Sequence, residues 1–158
     1  FFEHKLAYNT VQGDVPEGNY TVPIGKAAVR REGQQLSLIS YGLSVHHCIE
    51  AAETLADEEI SCEVVDLRSV SPLDTETLLE SVKKTGRVCI VHEDNLTGGV
   101  GAEVAAIVAK DVFEYLDAPV QRVAARDVPS FPYSPTLEDV LLPGPPDIIS
   151  AARELVAY

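Results

Sequence analysis

From residue 36 onward, short apolar runs alternate with longer stretches whose apolar positions recur at helical spacing. LSLISYG (36–42), CEVVDL (62–67), RVCIVHE (87–93) and PVQRVAA (119–125) are rich in Val, Ile and Leu, with glycine, proline or charged residues around them. Runs of this length and composition predict buried strands. The segments between them predict helices. Ser44 is placed to cap one through His46–Asp57, where Ile49, Ala52 and Ala56 repeat at helical spacing. Asp74, at the end of SPLD (71–74), is placed to cap TETLLESVKKTG, and Gly86 to close it. GAEVAAIVAKDVFEYL (101–116) predicts a third helix, DVPSFPYSP (127–135) a Pro-rich loop, and Pro146–Val156 a last helix. Upstream, GKAAVRREG (25–33) predicts a short edge strand closed by Gly33, while residues 9–23 hold turn formers without periodicity and read as a linker. Strands alternating with helices argue a parallel sheet covered on both faces. Right-handed crossovers then make the expected fold an α/β, three-layer αβα sandwich with a mostly parallel, doubly wound sheet.

Composition narrows the function. A chain of 158 residues has room for one domain with a full core. Its net charge of −13 disfavours nucleic acid and suits a basic protein partner. No window approaches the roughly 18 unbroken apolar residues of a membrane span, so no membrane partner is expected. FFEHKLAY lacks the features of a signal peptide, and the chain holds no Met, so it is expected to be a piece of something longer. Cys48, Cys62 and Cys89 lie in or beside apolar segments, which suits buried thiols in a reducing compartment.

The stretch HEDNLTGGVGAE (92–103) has the outline of a phosphate cradle, with Gly98, Gly99 and Gly101 between a strand and a helix. The dinucleotide fingerprint needs a third spaced glycine, and Ala102, Glu103 and Val104 stand there instead. No Lys-Ser or Lys-Thr follows, and Glu93, Asp94 and Glu103 would meet a bound phosphate with like charge. A packing turn explains more: Gly98 and Gly99 permit positive φ, Gly101 lets the helix start close to the sheet, and Thr97 is placed to cap it. An interface role stays open, because the turn lies beyond the carboxyl end of a strand. His92-Glu93-Asp94 offers a base beside carboxylates, but neighbours on a strand point to opposite faces. A hydrogen-bonded structural or interface histidine is the expectation. His46, His47 and Cys48 do not share a helix face, and zinc-type pairs are missing, so no metal site is expected. Asp66 and Arg68, two apart on a strand, are expected to form an ion pair bracing the next loop. Ser134 lacks the context of a nucleophile, and no complete active site emerges.

Five strings in order, SYGLSVHHCIEAAETL, CEVVDLRSVSPLD, KTGRVCIVHEDNLTGG, LDAPVQRVAARDVPSFPYSPTLED and ISAARELVAY, resemble the C-terminal domain of transketolase-like β subunits. The most similar group is the β subunit of the thiamine-diphosphate-dependent decarboxylating component of 2-oxo acid dehydrogenase complexes of the pyruvate, branched-chain and acetoin types. The resemblance implies that residues 1–23 are the tail of a preceding pyrimidine-binding domain and a linker, and that 24–158 form the transketolase C-terminal-like domain. It implies an oxidoreductase assembly that decarboxylates a 2-oxo acid and reductively acylates a lipoyl group. Thiamine diphosphate and magnesium would be held outside this chain. The implied partners are a decarboxylase α subunit, a second β subunit, and an acyltransferase core that docks through a small basic subunit-binding domain. Asp117 and the terminal carboxylate at Tyr158 would make that contact. His92, Glu93, Gly98 and Gly99 would pack between subunits. The implied compartment is bacterial cytoplasm or mitochondrial matrix. Two alternatives are a free-standing module that binds a small nucleotide at the glycine turn, and the same domain of a transketolase or deoxyxylulose-phosphate synthase.

Overall fold

The four expected core strands and the edge strand meet in one five-stranded sheet in the computed structural model, which describes residues 1–158. In chain order the elements are α1 (Ala7–Thr10), β1 (Ala28–Arg31), β2 (Leu36–Ser40), α2 (Ser44–Ala56), β3 (Cys62–Asp66), α3 (Thr75–Thr85) and β4 (Val88–Asn95). There follow α4 (Val100–Asp111), a 3-10 turn (Phe113–Tyr115), β5 (Gln121–Ala125), α5 (Pro135–Leu141) and α6 (Pro145–Val156). The lateral order is β1-β3-β2-β4-β5. β3, β2, β4 and β5 run parallel, and β1 joins antiparallel to β3. The strand order reverses between β2 and β4, so the sheet is mostly parallel and doubly wound.

Period-two alternation divides the core. Leu36, Leu38, Val64, Cys89 and Val91 face α2 and α6, where Val45, Cys48, Ala52, Leu55, Ile148 and Ala152 meet them. Ile39, Val65, Val88 and Ile90 face α3 and α4, against Leu78, Val82, Val104 and Val108. All five residues of β2 are buried, as a central parallel strand requires. Two groups of buried polar side chains are paired across the core. The hydroxyl of Ser37 bonds those of Ser81 and Thr85, each at 2.7 Å. The Glu63 carboxylate, on β3, is 1% exposed and pairs with Lys84 at the end of α3.

The ends of α3 follow the expected chemistry. Asp74 accepts from the Thr77 amide at 3.3 Å and the Thr77 hydroxyl at 2.9 Å, and also from the Ala27 amide at 3.0 Å. Gly86 closes the helix at φ +69°, in the left-handed region. Elsewhere the elements depart from expectation. α2 begins at Ser44 itself, with Leu43 before it, so Ser44 does not cap; its hydroxyl is buried without a partner. The inward face of α2 is Val45, Cys48, Ala51, Ala52 and Leu55, rotated from the expected Ile49–Ala52–Ala56 stripe because α6 and the sheet cover it from two sides. The expected 16-residue third helix stops at Asp111, where Val112 leaves helical geometry at φ −138°. The Pro-rich loop contains α5, which starts at Pro135, where the fixed proline φ suits a first helical turn.

Candidate functional site

The glycine turn between β4 and α4 is built around a histidine. His92 is fully buried, and its ring stacks on Tyr41 with centroids 6.3 Å apart and planes 14° apart. A Cβ on Gly101 would collide with the His92 ring, and one on Gly99 would come within 2.9 Å of it as well as striking the Asn95 carbonyl. These two glycines therefore make room for the imidazole. Gly98 takes a left-handed φ of +77°, but Gly99 sits at φ −70°, so positive φ is needed at only one of the two expected positions. Within this chain neither ring nitrogen of His92 makes a well-formed hydrogen bond, in contrast to the expected hydrogen-bonded histidine. Burial pushes its pKa down, against the opposing pull of Asp94, and keeps the ring neutral.

The neighbours of His92 diverge as strand geometry requires. Glu93 turns outward and meets His4 Nε2 at 3.0 Å. Thr97 does not cap α4; its amide and hydroxyl go to Asp127 at 3.2 and 2.6 Å, stapling this turn to the segment after β5. The Tyr41 hydroxyl is pushed up in pKa by burial and by the charges of Asp94 and Glu93. That local field is negative, opposite to what a phosphate group needs. The expected Asp66–Arg68 ion pair does not form either. Asp66 Oδ1 accepts the Arg68 amide at 3.0 Å, while Oδ2 lies 3.8 Å from Arg30 on β1. Arg68 turns away because its backbone enters the left-handed region at φ +56° just past the strand.

A second site lies on the opposite edge of the glycine turn's helix. Phe113, Leu116, Asp117, Pro119, Val120 and Tyr158 line an open hollow of about 550 Å³. It arises because α4 stops at Asp111 and the chain tightens into the 3-10 turn before β5, carrying Phe113 to the surface at 74% exposure. Tyr158, also 74% exposed, reaches the hollow from the end of α6. The Asp117 amide donates to the Gly86 carbonyl at 2.7 Å, which fixes its backbone. Its side chain is 62% exposed, with Oδ2 3.6 Å from Arg87 Nη1. Arg87 Nε in turn donates to the Leu155 carbonyl at 3.0 Å. Asp117 and Tyr158, distant in sequence, thus share one apolar-floored hollow.

A family profile described as "Transketolase, C-terminal domain" matches residues 25–148. The chain belongs to the transketolase C-terminal domain family. It is 47% identical over 158 residues to the 2-oxoisovalerate dehydrogenase subunit beta of Bacillus subtilis, covering 100% of this chain and 48% of that protein. It is 42% identical over 158 residues to the pyruvate dehydrogenase E1 component subunit beta of Rickettsia felis, with the same coverage of 100% and 48%. A solved split-gene transketolase, an inactive beta4 tetramer, superposes with a TM-score of 0.79 at 27% identity, covering 92% of this chain and 46% of that one. The chain spans about half the length of the curated relatives it matches.

Within this transketolase C-terminal domain, His92, Glu93, Gly98, Gly99, Asp66, Arg68 and Asp117 fall inside the matched span and Tyr158 falls outside it. At its glycine turn a diphosphate would meet like charge. The glycine turn is fronted by Glu93 and Asp94, and no group of three His, Cys, Asp or Glu side chains is arranged for a metal. Sequence reasoning did not find Phe113, Leu116, Val120 and Arg87. Phe113 and Leu116 read as one helix with their predecessors, and Arg87 as the first residue of a strand. The one local signal was Pro119, which disfavours helix at Ala118 but does not mark the earlier stop at Asp111.

Proposed function

We propose that this domain is the C-terminal assembly domain of a β subunit in the decarboxylating component of a 2-oxo acid dehydrogenase, and that the Asp117–Tyr158 hollow docks the basic subunit-binding domain of the acyltransferase core. The observation that carries this reading is that hollow. It sets an exposed carboxylate beside exposed aromatic and aliphatic side chains, on a chain of net charge −13. A basic partner would place a cation on Asp117 and an apolar side chain against Phe113 and Tyr158. The long-range field would orient its approach, and the desolvated apolar contact would hold it.

In this reading the domain contributes no catalytic group. The whole enzyme decarboxylates a 2-oxo acid and passes the acyl group to a lipoyl arm. Thiamine diphosphate supplies the carbanion chemistry, and it is held with magnesium by the α subunit and the rest of the β subunit. The surface around Glu93 and the glycine turn faces a second β subunit. The three cysteines are free and buried, which suits bacterial cytoplasm or mitochondrial matrix. A nucleotide at the glycine turn has no comparable support, because the His92 ring fills the space beneath Gly99 and Gly101.

The test is calorimetric titration of full-length β subunit, assembled with its α subunit, against the isolated basic subunit-binding domain. Asp117→Asn is expected to weaken docking about tenfold or more, the scale of removing one partner from an interfacial charge pair. Affinity equal to that of the parent protein would overturn the docking reading.

A further inference from the structure

We infer that Arg87 is the positioning residue of the docking hollow, holding both of its walls through one guanidinium group; this rests on the docking reading above. The last carbonyls of a helix have no partner inside the helix, and a cation there also meets the negative end of the helix dipole. In α6 that cation does not come from the helix itself. Arg153, the basic residue of its last turn, is held by Glu58 at 2.6 and 2.9 Å. Arg87 reaches across from the α3–β4 turn instead, and its Nε bonds the Leu155 carbonyl at 3.0 Å. From the same group, Nη1 lies 3.6 Å from Asp117 Oδ2. Asp117 Oδ1 makes no bond within the chain and is left for a partner.

The base from which Arg87 reaches is rigid. It follows Gly86, whose left-handed φ of +69° ends α3. Its own carbonyl accepts from the Ser37 amide at 2.9 Å and the Thr85 hydroxyl at 3.0 Å, tying it to the central strand. The Arg87 side chain is 22% exposed, so its charge acts in a partly shielded setting. The consequence is a fixed distance between the Asp117 carboxylate and the α6 end that carries Tyr158. A lysine carries its donors on a single nitrogen at one point in space, whereas the planar fork of arginine spreads them, Nε to one wall and Nη1 to the other.

The experiment compares Arg87→Gln, Arg87→Lys, Arg153→Gln and Asp117→Asn in the full-length β subunit assembled with its α subunit. Each is titrated with the isolated basic subunit-binding domain, and amide hydrogen exchange is followed over residues 153–158. Arg87→Gln is expected to weaken docking about tenfold, the combined scale of a helix-end cation and a half-exposed ion pair, with faster exchange at 155–158. Arg87→Lys, which keeps the charge and the assembly, is expected to stay closer to Arg87→Gln than to the parent. Arg153→Gln loosens the same helix away from the hollow and is expected to leave docking unchanged. If Arg153→Gln weakens docking as much as Arg87→Gln, general loosening of α6 explains the effect and the inference falls. If Asp117→Asn weakens docking while Arg87→Gln stays within about twofold of the parent, the inference fails and the docking reading stands. Unchanged docking in both overturns the docking reading and the inference with it.

Discussion

His92 shows how one residue can determine its surroundings. Its ring is wholly buried, stacked on Tyr41, and covered by two glycines whose missing side chains leave it room. Neither nitrogen makes a well-formed hydrogen bond within the chain, so protonation would place an unsatisfied charge in the interior. The folded pKa therefore lies below the ordinary value of 6.5, chiefly through burial. The unfolded chain binds that proton more readily, so this contribution to stability is complete above 6.5 and is lost as pH falls below it. Urea unfolding of the chain should show a lower midpoint at pH 5.5 than at pH 7.5, roughly the window on either side of a free histidine. In His92→Leu the drop should be smaller; an equal drop would assign it to other groups. At this scale the sequence indicated that the glycines serve packing, since the phosphate motif failed residue by residue. It did not indicate what they pack against, because His92 and Gly101 meet only after the turn has folded.

At the scale of elements, α3 has both its ends set by local chemistry and its face set by tertiary contact. Asp74 and Gly86 were identifiable as caps because capping depends on residues within a few positions of the helix end. The pairing of Lys84 with Glu63 was not identifiable, since it joins side chains on separate elements, the end of α3 and the start of β3. Burial would lower the Lys84 pKa, but its bonds to Glu63 and Glu32 outweigh this and raise it. Lys84→Met would leave the Glu63 carboxylate buried without a cation. It is expected to cost about 3 kcal/mol in urea unfolding at neutral pH, the low end for breaking a buried pair because Lys84 is 33% exposed. Glu63→Gln in the same background should recover part of that loss. The same distinction explains the errors in helix limits. α4 ends where Val112, Phe113 and Leu116 must turn to meet β5, and periodicity alone carries on through them.

At the scale of the whole molecule, 25 acidic and 12 basic residues create the field that a docking partner meets first. Stopped-flow association with the basic subunit-binding domain should slow by about tenfold or more between roughly 0.05 and 0.3 M salt, while dissociation changes little. A salt-independent association rate would remove steering from the account. Charge balance, the alternation of strands and helices, and the caps of α3 follow from composition and short-range spacing, and the sequence by itself determined them. The mostly parallel order β1-β3-β2-β4-β5 realises that alternation, with both faces of β2 covered. The hollow is of another kind. Asp117 follows a broken helix, Tyr158 ends α6, and Arg87 leaves a turn between α3 and β4. Only the tertiary structure decided that these three converge, because no local pattern encodes a contact between side chains on separate elements.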